Sequence, residues 1–170
     1  MTAGPTVRRE RRDGDVEAIV ELHHRLYLTA YGLDESFVAG VEAGVREAAA
    51  RGWPGTGEGI WIVESDGAAA GALGLTDQGG GEARLRWVVL APELRGRGLG
   101  RRLVTEAVEL ARDTGYERLT LVTISELRAA AAIYRSLGFE LAWEDTGPKW
   151  GRPDLTFQGY ELRLTAQPWS

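Results

Sequence analysis

The residues best suited to chemistry in this sequence form the glycine-rich segment Arg95-Gly96-Arg97-Gly98-Leu99-Gly100. It lies between an apolar stretch that ends at Leu90 and an amphipathic stretch that begins near Leu99. Glycine lets the backbone approach a phosphate closely and adopt dihedral angles that a side chain forbids. A helix that begins on such a loop directs its free N–H groups and the positive end of its dipole at the same place. The pattern predicts an anion site, to which the arginines add positive charge.

Two common phosphate-binding folds do not match this segment. A nucleotide P-loop requires Gly-Lys followed by Ser or Thr, whereas Gly100 is followed by Arg101 and Arg102. A dinucleotide-binding fold requires an acidic residue at the end of the next strand to bind a ribose hydroxyl. The next predicted strand ends at Val122-Thr123 and has no acidic residue there. The segment therefore suits a different small anionic ligand.

Composition narrows the classes of function. The chain of 170 residues contains no cysteine, which excludes disulfides, thiolate metal sites and a cysteine nucleophile. His23 and His24 are adjacent and diverge on a helix, so we expect no metal. The net charge of −5 argues against nucleic acid as the main partner. The sequence has no membrane-length apolar run and no secretory signal, so we expect a cytoplasmic protein without a membrane partner.

Hydrophobic periodicity predicts a single α/β domain over residues 1–170, disordered only at residues 1–5. Helical spacing marks four segments: Val16–Tyr31, Asp34 or Ser36 to Arg51, Leu99–Gly115 and Glu126–Leu137. Period-two spacing and turn residues mark the strands Thr6–Arg11, Ile60–Ser65, Ala68–Leu75, Ala83–Leu90, Arg118–Thr123, Phe139–Trp143 and Thr156–Leu164. Trp150 falls in a long connection before the last strand. The order predicts a layered α/β fold, with a mixed central sheet of about seven strands flanked by about four helices.

The segment from Val88 to Phe139 resembles the core of the GNAT acetyltransferases. Their cofactor motif follows a strand and a proline, as residues 95–100 follow Leu90-Ala91-Pro92. Their second motif, a tyrosine, three residues and Gly-Phe, is matched by Tyr134-Arg135-Ser136-Leu137-Gly138-Phe139. The resemblance implies an acetyl-CoA-dependent N-acetyltransferase.

Looser matches extend over nearly the whole chain. They resemble the acetyltransferase half of fusions to a MarR-type DNA-binding domain, and comprise His23–Tyr27, Tyr31–Asp34, Leu127–Ala130 and Gly151–Leu164. No winged-helix segment precedes them, so we expect the catalytic half alone. Dimers are common among such relatives, and a homodimer is therefore a further expectation.

The resemblance also implies roles for single residues. Backbone groups of Val88, Val89 and Leu90 pair with the pantetheine arm of acetyl-CoA, and the N–H groups of residues 96–101 hold its pyrophosphate. Tyr134 is then the general acid for the coenzyme thiolate. The implied cofactor-binding residues are Val88, Val89, Leu90, Arg95, Gly96, Arg97, Gly98, Leu99, Gly100, Arg101 and Tyr134.

The general base is not assigned by the resemblance. Many relatives carry Asn where this chain has Leu127, and some carry a catalytic Glu where it has Val122. His23, Tyr27 and Tyr31 lie four residues apart and share one helix face. This stripe either packs in the core or borders the acceptor pocket, and the second interpretation makes His23 a candidate base.

A second candidate base and the acceptor contacts complete the candidate sites. Glu82, at a strand start, is a second candidate base. Tyr27, Tyr31 and Trp150 are candidate acceptor contacts.

Two functions remain open. The first is an enzyme that transfers the acetyl group of acetyl-CoA to a primary amine of a small molecule or peptide, by direct attack in a ternary complex. Such direct transfer needs no enzyme nucleophile, in agreement with the absence of cysteine. The alternative is a non-catalytic acyl-CoA-binding sensor or regulatory module.

Overall fold

The computed structural model of the protein describes residues 4–164. The predicted disorder of residues 1–5 lies mostly outside this range. The four helices are α1 (Asp15–Tyr31), α2 (Glu35–Ala50), α3 (Leu99–Thr114) and α4 (Arg128–Ser136). The seven strands are β1 (Thr6–Arg8), β2 (Gly59–Ser65), β3 (Ala68–Gly79), β4 (Glu82–Leu90), β5 (Arg118–Ile124), β6 (Glu140–Lys149) and β7 (Arg152–Arg163). The predicted α/β fold, with its mixed sheet and flanking helices, is confirmed.

The strands form one sheet that splits in its middle. Their order is β1-β2-β3-β4-β5-β7-β6, and β4 and β5 are the parallel neighbours. These two strands pair only from Glu82 to Arg84 on β4, opposite Arg118 to Thr120 on β5. Beyond that point β4 keeps pairing with β3, and β5 keeps pairing with β7. The sheet therefore opens into a gap between the second halves of β4 and β5.

The helices cover both faces of the sheet, as alternation along β2 shows. Trp61 and Val63 pack into a core with α3 and α4, while Ile60 and Ile62 pack into a second core with α1 and α2. Successive side chains of a strand point to opposite faces. The two cores therefore lie on opposite sides of the sheet. None of the helices within residues 4–164 is both long and apolar enough to cross a membrane.

A β-bulge in β4 reverses this alternation beside the gap. The register with β3 shifts between Ala72 and Gly74, and Trp87 takes a φ of 54°. Leu85 packs in the core with α3, whereas Trp87 and Val89 both pack in the core with α1 and α2. A bulge inserts one extra residue and re-aims the side chains that follow. Val88 consequently faces the same side as Leu85.

The predicted long connection before the last strand is wrong. β6 and β7 extend towards each other and pair up to Lys149 and Arg152, so the connection is the two-residue turn Trp150-Gly151. Both turn residues have positive φ, 52° and 83°. The glycines and prolines of this stretch favoured a loop, but β6 is an edge strand, where Pro148 needs no ladder partner. Trp150 is therefore held at the tip of a regular hairpin.

Candidate active site

The glycine-rich segment runs from a short 3-10 turn at Pro92–Leu94 into α3. Gly96 and Gly98 have φ angles of 76° and 75°. A Cβ added at either residue would meet no atom within 4 Å, so glycine is needed there for its dihedral angles and not because of crowding. Gly98 is the N-cap of α3, and no side chain caps the helix. The first N–H groups of α3 are therefore available to an anion, as the sequence predicts.

The edge of β4 at the gap presents the backbone groups of alternate residues. The Val88 carbonyl accepts a hydrogen bond from the Tyr27 hydroxyl at 3.0 Å, and the Leu90 carbonyl accepts one from Arg95 Nε at 3.1 Å. The Ala91 N–H donates to the Ala70 carbonyl of β3 at 2.8 Å, so alternation along the strand directs the N–H and C=O of Val89 towards β3 as well, although Val89 also lines the cavity described below. The predicted backbone contact with a ligand in the gap therefore suits Val88 and Leu90. For Val89 it requires correction, because three consecutive residues cannot all face one edge.

A cavity of about 820 Å³ occupies the gap and reaches both faces of the sheet. On the α3 and α4 side its lining includes Arg95, Gly96, Gly98, Leu99, Gly100, Arg101 and Tyr134. On the α1 and α2 side its lining includes His23, Tyr27, Tyr31, Phe37 and Trp150. The structure thus brings the glycine loop, Tyr134 and the aromatic stripe of α1 to one cavity. Its volume is in the range of small-ligand pockets.

Tyr134 is buried beside the cavity, with 4% of its surface exposed. Its ring packs against Phe139 and Tyr160, with centroids 5.7 and 6.1 Å away. Burial raises the pKa of its hydroxyl above the ordinary value, and the neighbouring Tyr27 adds to that effect. Tyr134 lines the cavity, and its hydroxyl has no hydrogen-bond partner among residues 4–164. The hydroxyl is therefore protonated and open to the cavity.

His23 lines the opposite end of the cavity as a neutral side chain. Burial lowers its pKa to about 4, and the hydrogen bond to the Ile19 carbonyl only partly opposes this effect. The bond joins Nδ1 to the Ile19 oxygen at 2.8 Å, so Nδ1 carries the proton and Nε2 is the acceptor. The ring stacks on Tyr27 at a centroid distance of 5.4 Å. At neutral pH, His23 can accept a hydrogen bond from a ligand, but it is a weak base.

Aromatic side chains from α1, α2, β7 and the β6–β7 turn form a continuous series of ring contacts, which we call the aromatic wall. Its members are His23, Tyr27, Tyr31, Phe37, Trp150 and Phe157, all of which line the cavity. The ring centroids of Tyr27 lie 5.5 Å from those of Tyr31 and Phe37. The chain of contacts continues from Phe37 to Trp150 at 4.9 Å and from Trp150 to Phe157 at 5.3 Å. The predicted contacts Tyr27, Tyr31 and Trp150 therefore share one surface.

Two predicted residues lie outside this cavity. Arg97 is absent from the lining, although its neighbours Gly96 and Gly98 belong to it. Glu82 is also absent, and it is bound by Arg118, Arg84 and Thr120. Burial raises the pKa of the Glu82 carboxyl, but these hydrogen bonds outweigh that effect and lower the pKa overall. Glu82 is held as an ion pair and is a poor candidate base.

Sequence reasoning missed Phe37, Phe157 and the ion pair of Arg152 with Glu126. Arg152 also donates to the Tyr31 carbonyl at 3.1 Å and so ties the β6–β7 hairpin to the end of α1. No spacing signal relates these residues, because they come from elements distant along the chain. The hydrophobic pattern of α2 marks Phe37 as buried without indicating what it faces.

Residues 17–139 match the family model of the acetyltransferase (GNAT) family. Because the match covers more than half of the chain, this protein belongs to that family. Among solved structures, a putative acetyltransferase, yncA, of Salmonella typhimurium in complex with acetyl-CoA has the same fold, with a TM-score of 0.71 at 21% identity over 97% of this chain and 96% of that one. At that identity the likeness shows the fold alone.

Curated relatives match over different lengths. The uncharacterized N-acetyltransferase YjgM of Escherichia coli is 37% identical over 87 residues, which are 49% of this chain and 52% of the relative. The chain thus spans about half the length of that protein. The L-amino acid N-acyltransferase MnaT of Escherichia coli is 28% identical over 167 residues, which are 92% of this chain and 94% of MnaT.

Proposed function

We propose that this protein transfers the acetyl group of acetyl-CoA to a primary amine of a small molecule or peptide. The observation that carries the proposal is the cavity through the split sheet, which joins an anion-binding loop to an apolar pocket. The names of YjgM and MnaT, and the solved complex of yncA with acetyl-CoA, support the same reaction class. The resemblance to the catalytic half of MarR-type fusions stays a prediction.

The cofactor side is built from backbone groups. We assign the pyrophosphate to the free N–H groups at the start of α3, between Gly96 and Arg101. Arg101 contacts Ser136 of α4, which holds its guanidinium beside the loop. The pantetheine arm would lie along β4 and use the backbone groups of Val88 and Leu90. A thioester carbonyl next to Val88 could accept a hydrogen bond from strand N–H groups, which stabilise charge on its oxygen during attack.

The chemistry requires a neutral amine on one side and a proton donor on the other. An alkylammonium group has an ordinary pKa near 10.4, and its transfer into an apolar cavity favours the neutral form. The nitrogen lone pair attacks the thioester carbon in direct transfer, and the C–S electron pair leaves as thiolate. The Tyr134 hydroxyl, protonated and open to the cavity, donates its proton to that thiolate. We assign to His23 Nε2 the role of hydrogen-bond acceptor for the incoming amine. The amine proton passes to water, and Tyr134 regains from water the proton that it gave to the thiolate.

Calorimetric titration with acetyl-CoA tests the proposal. We expect micromolar binding by the wild type and a loss of at least about tenfold in Gly98→Glu, because the variant strains a left-handed residue and adds a negative charge at the anion site. Gly67→Glu is the matched control, because Gly67 has a φ of 80° in the exposed β2–β3 turn. No binding by the wild type, or equal binding by Gly98→Glu, would reject the assigned loop. If acetyl-CoA binds but no amine that is added causes thiol release, the acyl-CoA-binding module is favoured.

A further inference from the structure

The acceptor half of the cavity is almost entirely aromatic or aliphatic. Besides the aromatic wall, Leu33, Val41, Ile124 and Leu127 line this half. His23 and Phe37 are buried, while Tyr27, Tyr31, Trp150 and Phe157 are half-buried and show part of their surface to the cavity. Flat aromatic surfaces bind a flat or bulky apolar group by burial and by ring stacking. Such surfaces offer few hydrogen-bonding groups to a polar chain.

The charges around the cavity disfavour a cationic ligand. Glu126 is the carboxylate among the lining residues, and it is paired with Arg152. Four arginines, Arg86, Arg95, Arg101 and Arg128, line the same cavity. Arg95 and Arg101 are assigned to the anionic cofactor, so Arg86 and Arg128 are the arginines that remain for the acceptor. A second ammonium group on the acceptor would find no free carboxylate among the lining residues. Burying an unpaired charge in such a place is unfavourable.

The wall is held in place before any ligand arrives. The Asp34 N–H donates to the Trp150 carbonyl at 2.9 Å, which fastens the hairpin tip to the start of α2. A Cβ on Gly151 would lie 2.9 Å from the Asp34 side chain, so the tip packs tightly there. Arg152 adds its hydrogen bond to the Tyr31 carbonyl. A pocket fixed in this way selects ligands by shape.

We propose that the acceptor is a monoamine whose primary amine is carried on an uncharged aromatic or bulky apolar group. Trp150 is a specificity-determining residue of that pocket. The inference rests on the proposed acetyl transfer and names its substrate class. The apolar group lies against the aromatic wall, and the amine points through the gap towards Val88. Diamines and lysine side chains are then poor acceptors.

Thiol release from acetyl-CoA measures this preference directly. We expect kcat/KM for 2-phenylethylamine to exceed that for putrescine by about 100-fold or more, because putrescine loses the buried aromatic contact and buries an unpaired ammonium group. For Nα-acetyl-lysine, whose polar chain replaces the ring, we expect a deficit of about tenfold or more. Isopentylamine, which is apolar but not aromatic, should fall between 2-phenylethylamine and these two amines. Equal or better use of putrescine or Nα-acetyl-lysine would overturn the inference while leaving acetyl transfer intact. Binding of acetyl-CoA with no turnover of any of these amines would also overturn it.

A substitution at the hairpin tip tests the role of Trp150. Trp150→Asn removes the indole and leaves Asn-Gly, the dipeptide preferred in two-residue hairpin turns, so the fold is retained. We expect the KM for 2-phenylethylamine to rise about tenfold with the KM for acetyl-CoA unchanged. Trp143→Asn removes an exposed indole from the same hairpin outside the cavity lining and should change neither constant. An unchanged amine KM in Trp150→Asn would remove Trp150 from the pocket.

Discussion

Three titratable side chains of the cavity, His23, Tyr27 and Tyr134, are held in their neutral forms by burial. Burial lowers the pKa of His23 to about 4 and raises that of Tyr27 to about 12. The pKa of Tyr134 is raised in the same way. An environment that disfavours charge on these residues also disfavours the ammonium form of an entering amine. The cavity itself therefore promotes the deprotonation that acetyl transfer requires.

The burial of His23 makes stability depend on pH. Its pKa is near 6.5 in the unfolded chain and about 4 in the folded one, so below pH 6.5 the unfolded chain binds a proton that the folded chain does not. The contribution of neutral His23 to the free energy of unfolding is fully present above pH 6.5 and is lost as the pH falls towards 4. When the pH falls from 7.5 to 5, the free energy of unfolding should decrease by about 2 kcal/mol less in His23→Gln than in the wild type. Urea unfolding at the two pH values measures this difference. His24→Gln is the matched control, because the His24 side chain is 45% exposed. If the free energy of unfolding changes equally with pH in the wild type and in His23→Gln, the assignment is contradicted.

The role of Tyr134 as general acid is testable by removing one oxygen. Tyr134→Phe should lower kcat by about 100-fold while acetyl-CoA affinity stays within about twofold, because proton donation matters only as the thiolate leaves. Tyr160→Phe is the matched control, since Tyr160 is buried next to Tyr134 and does not line the cavity. Initial rates and calorimetry give both quantities. Wild-type kcat in Tyr134→Phe would leave the tyrosine with a packing role only.

At the scale of elements, the structure depends on junctions between segments that the sequence separates. The start of α1 is fixed to β1 by Arg8, whose guanidinium contacts both Asp15 carboxylate oxygens at 2.8 and 2.9 Å. The Arg12 N–H donates to the same carboxylate at 2.7 Å. Burial raises the pKa of Asp15, but the hydrogen bonds from Arg8 and Arg12 lower it overall. Gly14 is the N-cap of α1 and provides no side-chain cap, so this carboxylate network holds the start of the helix.

Breaking this junction should cost stability. Asp15→Asn leaves the Arg8 guanidinium buried with Glu64 as its remaining carboxylate partner, and we expect a loss of about 2–3 kcal/mol in the free energy of unfolding. Glu10→Gln removes the partner of Arg12 in an exposed pair and should cost at most about 0.5 kcal/mol. Chemical denaturation at pH 7 measures both. Equal losses in the two variants would show that burial adds nothing to the Arg8–Asp15 pair.

At the scale of the whole molecule, the split between β4 and β5 turns a sheet into a binding site. A ligand in the gap would contact both halves of the sheet and the helices on both faces. It would also contact backbone N–H and C=O groups of β4 and β5 that pair with no neighbouring strand at the gap. Binding should then stabilise the folded state by an amount that rises with the logarithm of ligand concentration and reaches about 2.7 kcal/mol at a hundredfold excess over Kd.

Hydrogen exchange can locate that contact at single amides. Acetyl-CoA should slow exchange at Val88 and Leu90 by about tenfold or more, because their backbone groups face the gap. The Val89 amide is the internal control, since its partner is β3 and its protection should not depend on the ligand. Equal protection of all three amides, or of none, would contradict the predicted contact with β4.

Much of the fold was predictable because its signals are local. The boundaries of α3, set by Gly98 and Gly115, follow from the chain's own pattern of glycine and apolar residues. The extent of β6 and β7 was not predictable in the same way. Their added length depends on pairing with each other, and Gly147 and Pro148 indicate a loop when considered alone. Edge pairing outweighs local preference at those residues.

By itself, the sequence determined the fold class and the family, and it predicted an anion-binding loop, because those depend on residue types at short spacing. Only the tertiary structure decided which predicted residues meet. It placed Arg97 and Glu82 outside the cavity, turned the backbone of Val89 towards β3, and brought Phe37 to Tyr27 and Phe157 to Trp150. The physical reason is that the edge a strand residue faces, and the partners of a helix face, depend on pairing and bulges formed by residues far apart in the chain.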